Sequence, residues 1–367
     1  MTAPSWDNVL VLQTSFLGDT VLTVPLLAEL KRRFPLKRLT VLCQPGSRDL
    51  LQDHPAIDEI IVDDKKQADR GIRGLCAKAA ALRARGFTLA LTPHKSLRSA
   101  LLLYLARIPY RVGFRQSRGW FLFQRRVERN GYYRHDVERN LSILQAFGVR
   151  VEECQRALDL PVSAAVQQRV NEKLRSLGIG EQDKLIGINP GSVWPTKRWS
   201  AAGFAELIGL LKNEFACQVL LFGGPEDATV VRDVQSRCGG AAVDLVDQIS
   251  LHELAAAIGR CALFITNDSA PMHIAVARRV PTLAIFCATT PELGFFPYTK
   301  DAIAIGRELS CRPCSSHGGL RCPLGTEDCI RQIGANNVLE CVRKLLGAEK
   351  PGVAPVRQSF EPDLVTI

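Results

Sequence analysis

The 367-residue chain has no apolar stretch near the roughly 20 residues that a bilayer-spanning helix needs, which excludes an integral helical membrane protein. Its longest apolar runs, around 101–106 and 280–288, are the length of a strand or a core helix. No basic region precedes an apolar core near the start; the first apolar run, 9–12, follows Asp7, so no secretory signal is read there. Aromatic residues make up only 7% of the chain. No zinc-finger, helix-turn-helix or RNA-recognition signature accompanies the basic residues, so nucleic acid is not an expected partner. G-x-G-x-x-G is also missing, which argues against a nicotinamide-dependent oxidoreductase.

What is present begins with charge. Lys and Arg number 47 against 37 Asp and Glu, a formal net charge of +10. The excess crowds the first half: Lys31, Arg32, Arg33, Arg83, Arg85, Lys95, Arg98, then Arg111, Arg115, Arg118, Arg125, Arg126 and Arg129. Phe114, Trp120, Phe121 and Phe123 interleave with the last group, a mixture suited to an anionic membrane surface. A solvated basic face without a partner is the alternative. The twelve cysteines, without an export signal, do not read as a disulfide framework. Eight are scattered, several in apolar runs. Cys311, Cys314, Cys322 and Cys329 are clustered, with His317 nearby, and leave two readings open: a structural zinc site or a reduced loop.

Short β-branched runs alternate with helical patterns. Strands are predicted at 9–13, 39–43, 59–62 and 88–91, then at 185–189, 218–222, 243–245, 263–266 and 282–286. Helices are predicted at 20–34 (with Pro25 kinking it or ending its first turn), 68–85 and 96–107, then 202–215, 227–238, 251–259 and 271–277. This alternation implies two α/β domains built on parallel sheets. The expected division is 1–160, 161–347 and a disordered tail at 348–367, where prolines recur without periodicity.

Three turns after predicted strands carry the candidate chemistry. In 13–20, Gly18 allows a tight turn and Asp19 falls near a helix start, as a cap or as a carboxylate ready to accept a proton. In 189–199, Gly191-Ser192 and Lys197-Arg198 offer backbone N–H groups and cations to a diphosphate. In 266–273, Asp268, Ser269 and Ala270 precede Pro271 at a helix start, with His273 one turn on. Gly223-Gly224-Pro225-Glu226 ends a neighbouring strand and completes a nucleotide-site reading.

L-G-D-T-V-L-T-x-P-L-L, N-P-G-S-x-W-x-x-K-R-W, G-G-P-E-D and N-D-S-A-P-M-H-I-A-V-A, in this order, resemble glycosyltransferase family nine. These are the ADP-heptose:lipopolysaccharide heptosyltransferases, and the resemblance is nearest the heptosyltransferase II branch, from about Asn8 to Leu346. It implies a GT-B fold, two Rossmann-like doubly wound domains facing across a cleft, with the acceptor in the first and the donor in the second. It implies that Asp19 is the catalytic base, that Lys197 contacts donor phosphates and that Glu226 contacts the ribose. Asp268, Ser269, Ala270 and His273 would line the ADP site, with Gly18 and Ser192 also on the donor. No cofactor and no metal ion in donor binding are implied, and the chain has no D-x-D.

The implied reaction is inverting transfer of L-glycero-D-manno-heptose from ADP-heptose to the Kdo-lipid A or heptosyl-Kdo-lipid A inner core. The setting would be cytoplasmic, peripheral on the inner face of the inner membrane. Lys95, Arg98 and Arg115 are the candidates for the polyanionic acceptor. The alternatives are another nucleotide-sugar donor, a later core acceptor, or a non-catalytic sugar-nucleotide-binding homologue.

Overall fold

The computed structural model describes residues 6–129, 134–347 and 360–367. The chain divides into two compact units, Met1–Pro161 and Val162–Ile367. In the first, β1 (Asn8–Gln13), β2 (Arg38–Cys43), β3 (Glu59–Val62), β4 (Leu89–Thr92), β5 (Tyr110–Phe114) and β6 (Arg125–Val127) form one sheet ordered β3-β2-β1-β4-β5-β6. Every pairing is parallel. In β1, Val9 to Leu12 are fully buried, as expected for a central strand covered on both faces. The helices are α1 (Leu17–Val21), α2 (Val24–Arg33), α3 (Pro45–Leu51), α4 (Gly71–Ala84), α5 (Leu97–Leu105) and α6 (Asp136–Leu141).

In the second unit, β7 (Leu185–Asn189), β8 (Gln218–Leu221), β9 (Val243–Asp244), β10 (Leu263–Asn267), β11 (Thr282–Phe286), β12 (Ala302–Gly306) and β13 (Asp363–Thr366) are ordered β13-β12-β11-β10-β7-β8-β9. These strands are likewise all parallel. Its helices are α7 (Ala164–Ser176), α8 (Ala201–Glu214), α9 (Ala228–Arg237), α10 (Leu251–Ile258), α11 (Ala270–Ala277), α12 (Asp328–Arg331) and α13 (Ala335–Gly347). Ser250 caps α10 through reciprocal Ser250–Glu253 bonds. Trp199 is buried against Phe204, and its indole N–H donates to the Ile333 carbonyl at 2.9 Å.

Both sheets change direction once. The chain runs from β1 outward through β2 to β3, then crosses to β4 on the other side of β1. In the second unit it runs from β7 to β9, then crosses to β10. A crevice opens beyond the carboxyl ends of the strands at such a reversal, where open α/β sheets bind ligands. The β1/β4 and β7/β10 reversals are therefore where to look.

Three expectations need correction. The helix expected at 20–34 is two helices, broken at Leu22-Thr23, and Pro25 lies in the first turn of α2, where its missing N–H costs nothing. Residues 348–359 of the expected disordered tail lie outside the described residues. The last eight are ordered: β13 pairs with β12, and Phe360 stacks on Tyr298 at 4.6 Å. Strands β5, β6 and β12 were also not anticipated. Arg111 interrupts the apolar pattern of β5 because its guanidinium is buried, donating to the Leu122 carbonyl at 2.9 Å. β6 is an edge strand whose two arginines are exposed, which suits an edge.

Candidate active site

At the first reversal, the loop leaving β1 is stitched in place by its own side chains. Gln13 Oε1 accepts from Ser15 N at 3.2 Å, and Gln13 Nε2 donates to Thr23 Oγ1 at 3.0 Å. Gln44 Nε2 donates to the Thr14 carbonyl at 2.8 Å, and Lys65 Nζ donates to the same oxygen. Asp19 lies at the third position of α1, just past Gly18. Its Oδ2 accepts from Ser15 Oγ at 2.6 Å and from Phe16 N at 3.1 Å. It does cap the helix, and those two donors also fix its carboxylate in a half-buried position.

The loop leaving β4 meets this one. His94 Nδ1 is 2.9 Å from Ser99 Oγ and 3.4 Å from Thr14 Oγ1. Burial, then the charges of Lys65 and Lys95, push its imidazole down to about 4, so it is neutral near pH 7. Lys95 is exposed, yet its ammonium sits below its ordinary range, through desolvation first and then the Arg129 and Arg139 charges. Asp136 and Asp19 pull the other way. Lys95 and Asp19 thus share one electrostatic neighbourhood. Arg98 does not join them with a free charge: its guanidinium pairs with Asp63, which is fully buried, at 3.0 Å and with the Asp69 carbonyl at 3.1 Å. Arg115 follows β5, two strands out from β1, and pairs with Glu128 at 3.4 Å.

At the second reversal the Lys197 ammonium lies 2.6 Å from Asp268 Oδ2, with the two side chains 14% and 8% exposed. Thr289, from the end of β11, donates to the same carboxylate at 2.7 Å. His273, one turn into α11, is buried behind them, and desolvation pushes it down to about 4 against the pull of Asp268. Ser269 is the N-cap residue of α11, its Oγ 3.2 Å from Thr266 Oγ1 and 3.5 Å from Asn189 Nδ2. Ala270 follows as the first helical residue.

The Gly191-Ser192 turn is held from three sides. Asn189 Nδ2 donates to the Gly191 carbonyl at 3.0 Å, Asn267 Nδ2 to the Pro190 carbonyl at 2.8 Å, and Arg198 Nε to the Ser192 carbonyl at 2.8 Å. A Cβ at Gly191 would lie 2.2 Å from the Asp227 carboxyl, which would have to swing away from the turn. Burial raises the pKa of Asp227, partly offset by the Gly224 N–H and by Arg198. Glu226 is exposed in the turn after β8, beside the Ser192 turn in strand order.

Among the residues expected for the donor, Ser192, Lys197, Asp268, Ser269, Ala270 and His273 converge on the β7/β10 reversal, and Glu226 lies one strand over. Gly18 lies in the other unit with Asp19. Residues not singled out earlier include Thr289, Asn267, Asp227, Lys65 and His94. Only Asp227, inside G-G-P-E-D, and Asn267, inside N-D-S-A, carried a motif signal.

A family model described as glycosyltransferase family 9 (heptosyltransferase) matches residues 76–321. The chain belongs to glycosyltransferase family 9. This transferase is 29% identical over 301 residues to lipopolysaccharide heptosyltransferase 2 of Salmonella typhimurium, covering 78% of this chain and 84% of that one. It is 29% identical over 353 residues to lipopolysaccharide heptosyltransferase 3 of Escherichia coli, covering 92% and 99%. The crystal structure of the family 9 glycosyl transferase from Veillonella parvula superposes with a TM-score of 0.82 at 26% identity, covering 94% of this chain and 98% of that one. The ADP-heptose heptosyltransferase II of E. coli shares the fold of the transferase, with a TM-score of 0.76 at 24% identity over 92% and 98%.

Proposed function

We propose that this family 9 transferase moves L-glycero-D-manno-heptose from ADP-heptose to the lipopolysaccharide inner core. The acceptor is Kdo-lipid A or heptosyl-Kdo-lipid A, and donor binding requires no divalent ion. The observation that carries the reading is the placement of Asp19 and of the Lys197–Asp268 pair, each at the strand reversal of its own sheet. The heptosyltransferase names of the curated relatives support the choice of sugar.

Asp19 takes the proton from an acceptor hydroxyl. The hydroxyl oxygen forms a bond to the anomeric carbon as the bond from that carbon to the diphosphate oxygen breaks on the opposite face, so one step inverts the configuration. Negative charge grows on the departing ADP, where the Lys197 ammonium and the N–H groups opening α11 meet it. Asp268 orients that lysine rather than touching the substrate, and Thr289 orients Asp268. Glu226 reaches the ribose. Lys95, adjacent to Asp19, receives a phosphate or carboxylate of the polyanionic acceptor, while Arg98 supports the loop through Asp63. The enzyme works at the cytoplasmic face of the inner membrane, docked through Trp120 and Phe121, which are 47% and 57% exposed, and the Arg126 guanidinium stacked 4.9 Å from Trp120.

Steady-state transfer by Asp19→Asn tests the assignment. The amide oxygen still accepts from Ser15 and Phe16, so the cap is kept while the base is lost. Turnover is expected to fall by roughly 10²–10⁴. A variant with near-normal kcat would return Asp19 to a purely capping role.

A further inference from the structure

Between Gly306, the end of β12, and Asp328, the start of α12, residues 307–327 form neither helix nor strand. Irregular segments longer than about 12–15 residues inside compact domains are uncommon and usually serve a purpose. Part of this one is bonded to the loop that carries Lys197. Gly319 N donates to Thr196 Oγ1 at 2.8 Å, and that hydroxyl donates back to the Gly319 carbonyl at 3.0 Å. Thr196 N reaches the same carbonyl at 3.2 Å. Thr196 is buried, and its own carbonyl accepts from Ala288 N at 3.3 Å. The Ala288 carbonyl in turn accepts from Cys314 N at 3.0 Å. Main-chain bonds therefore close a ring that runs from 196 through 288 and 314 to 319.

Arg312 fastens the ring to the carboxylate side of the pair. Its guanidinium donates to the main-chain carbonyls of Arg307, of Phe286 at 2.8 Å and of Thr289 at 2.7 Å. Thr289 is the residue whose hydroxyl holds Asp268. The segment thus bears on both partners of the Lys197–Asp268 pair, on one through Thr289 and on the other through Thr196.

Gly318 lies directly on the lysine. It sits at a φ of +83°, and Ser315 Oγ donates to its carbonyl at 2.8 Å. A Cβ on it would come 2.8 Å from Lys197 Cγ, 3.0 Å from Lys197 Cδ and 3.1 Å from Trp194 Cβ. Only a residue without a side chain lets the backbone approach the lysine so closely. The closeness has a use. A lysine carries its charge on a flexible four-carbon stem, and each free rotamer spreads the ammonium over more positions. Asp268 holds only the tip of that stem. Contact along Cγ and Cδ holds the path to it, so less freedom is left to lose when an anion arrives.

Resting on the reading of Lys197 as the contact for the donor diphosphate, we propose that residues 312–319 clamp its side chain, with Gly318 and Thr196 as positioning residues. Gly318 covers the stem, and Thr196 fixes the height of the covering loop. Both act on the nucleotide only through the lysine.

The full chain is compared with Gly318→Ala and with Gly325→Ala as its control. Gly325 belongs to the same segment at a φ of +72°, but a Cβ there would meet nothing within 4 Å. Both alanines bring left-handed strain, and only the first reaches Lys197. Two quantities are read: ADP affinity by calorimetry, and the rate at which an amine-reactive ester labels Lys197 without nucleotide, followed by mass spectrometry. Gly318→Ala should speed labelling several-fold and weaken ADP binding roughly tenfold, because a displaced lysine loses much of a charge-assisted contact. Gly325→Ala should leave both as in the wild-type chain. With Lys197→Ala already present, adding Gly318→Ala should change ADP affinity by less than about twofold, since the residue it acts through is gone. Thr196→Val loses the reciprocal bonds to Gly319 and should also speed labelling, whereas Thr196→Ser keeps the hydroxyl and should restore the wild-type rate. This arm leaves Gly318 in place and serves if Gly318→Ala does not fold. Wild-type labelling in Gly318→Ala or Thr196→Val, once folded, would overturn the clamp. So would an equal change in Gly325→Ala, or an undiminished loss of affinity without the lysine. Faster labelling with unchanged ADP affinity would uphold the clamp and overturn the donor reading of Lys197 instead.

Discussion

The two strand reversals are built from the same topology but position their charged groups by different means. At β7/β10 the cation and anion are matched inside the fold: Lys197 and Asp268 are in contact, and a threonine satisfies the carboxylate further. At β1/β4 Asp19 accepts from a hydroxyl and from a backbone N–H, and Lys95 lies within its electrostatic reach. A paired ammonium is fixed in place and suits the positioning of a diphosphate, where orientation decides affinity. A carboxylate oriented by a hydroxyl and an N–H at a helix start is positioned to take a proton. The binding end and the chemical end of the proposed reaction therefore differ in what surrounds the charge.

Removing Lys197 should have the largest effect on the binding end. Lys197→Ala leaves Asp268 buried and uncompensated and removes a charge-assisted contact; ADP affinity measured by calorimetry should drop by about 1.5–3 kcal/mol. Asp268→Asn should cost less, because the lysine stays and loses only its orientation. Equal losses from both would show that Asp268 touches the ligand itself. In either variant, wild-type affinity would break the contrast between the crevices.

The histidines sharpen it next. His94 and His273, one at each reversal, are both held neutral by burial at about 4, below the ordinary 6.5. The unfolded chain then binds more protons between those values. Each histidine adds stability that is full above about pH 6.5 and lost at roughly 1.4 kcal/mol per pH unit on the way down to 4. Denaturant melts from pH 7 to 4 should show the slope, and replacing either histidine with Gln should flatten it. A stability independent of pH in that window would contradict the burial of both.

Smaller effects belong to surfaces away from the reversals. Ending the chain before Phe360 removes β13 and the ring stacked on Tyr298, and should lower the melting temperature by a few degrees, about 1–2 kcal/mol. Trp120→Ala should weaken co-sedimentation with anionic vesicles at low salt, and added salt should release the wild-type chain as well. Equal binding to neutral vesicles would remove the basic face from that contact.

The first loop and the second were not equally legible in the sequence. Strands with near-continuous apolar runs, such as 185–189 and 282–286, could be read directly because burial on both faces leaves a single polar residue, at one end of each. β6 and β13 could not, since they lie at sheet edges and carry the exposed residues that edges require. Among site residues, those packed into contiguous motifs were visible. Thr289 and Lys65 were not, because each reaches its partner across the sheet from a segment with no pattern of its own. Arg98 is the opposite case. Its charge was plain in the sequence, but Asp63, 35 residues earlier and buried beneath it, was not.

The division of labour between the two crevices is tested most directly by titrating ADP into Asp19→Asn by calorimetry under the conditions used for the wild-type chain. The same affinity, within about twofold, is expected, because Lys197, Glu226 and the start of α11, which are proposed to hold the nucleotide, lie in the second unit. A loss of tenfold or more, in a variant that melts at the wild-type temperature, would place Asp19 in donor binding and contradict the account.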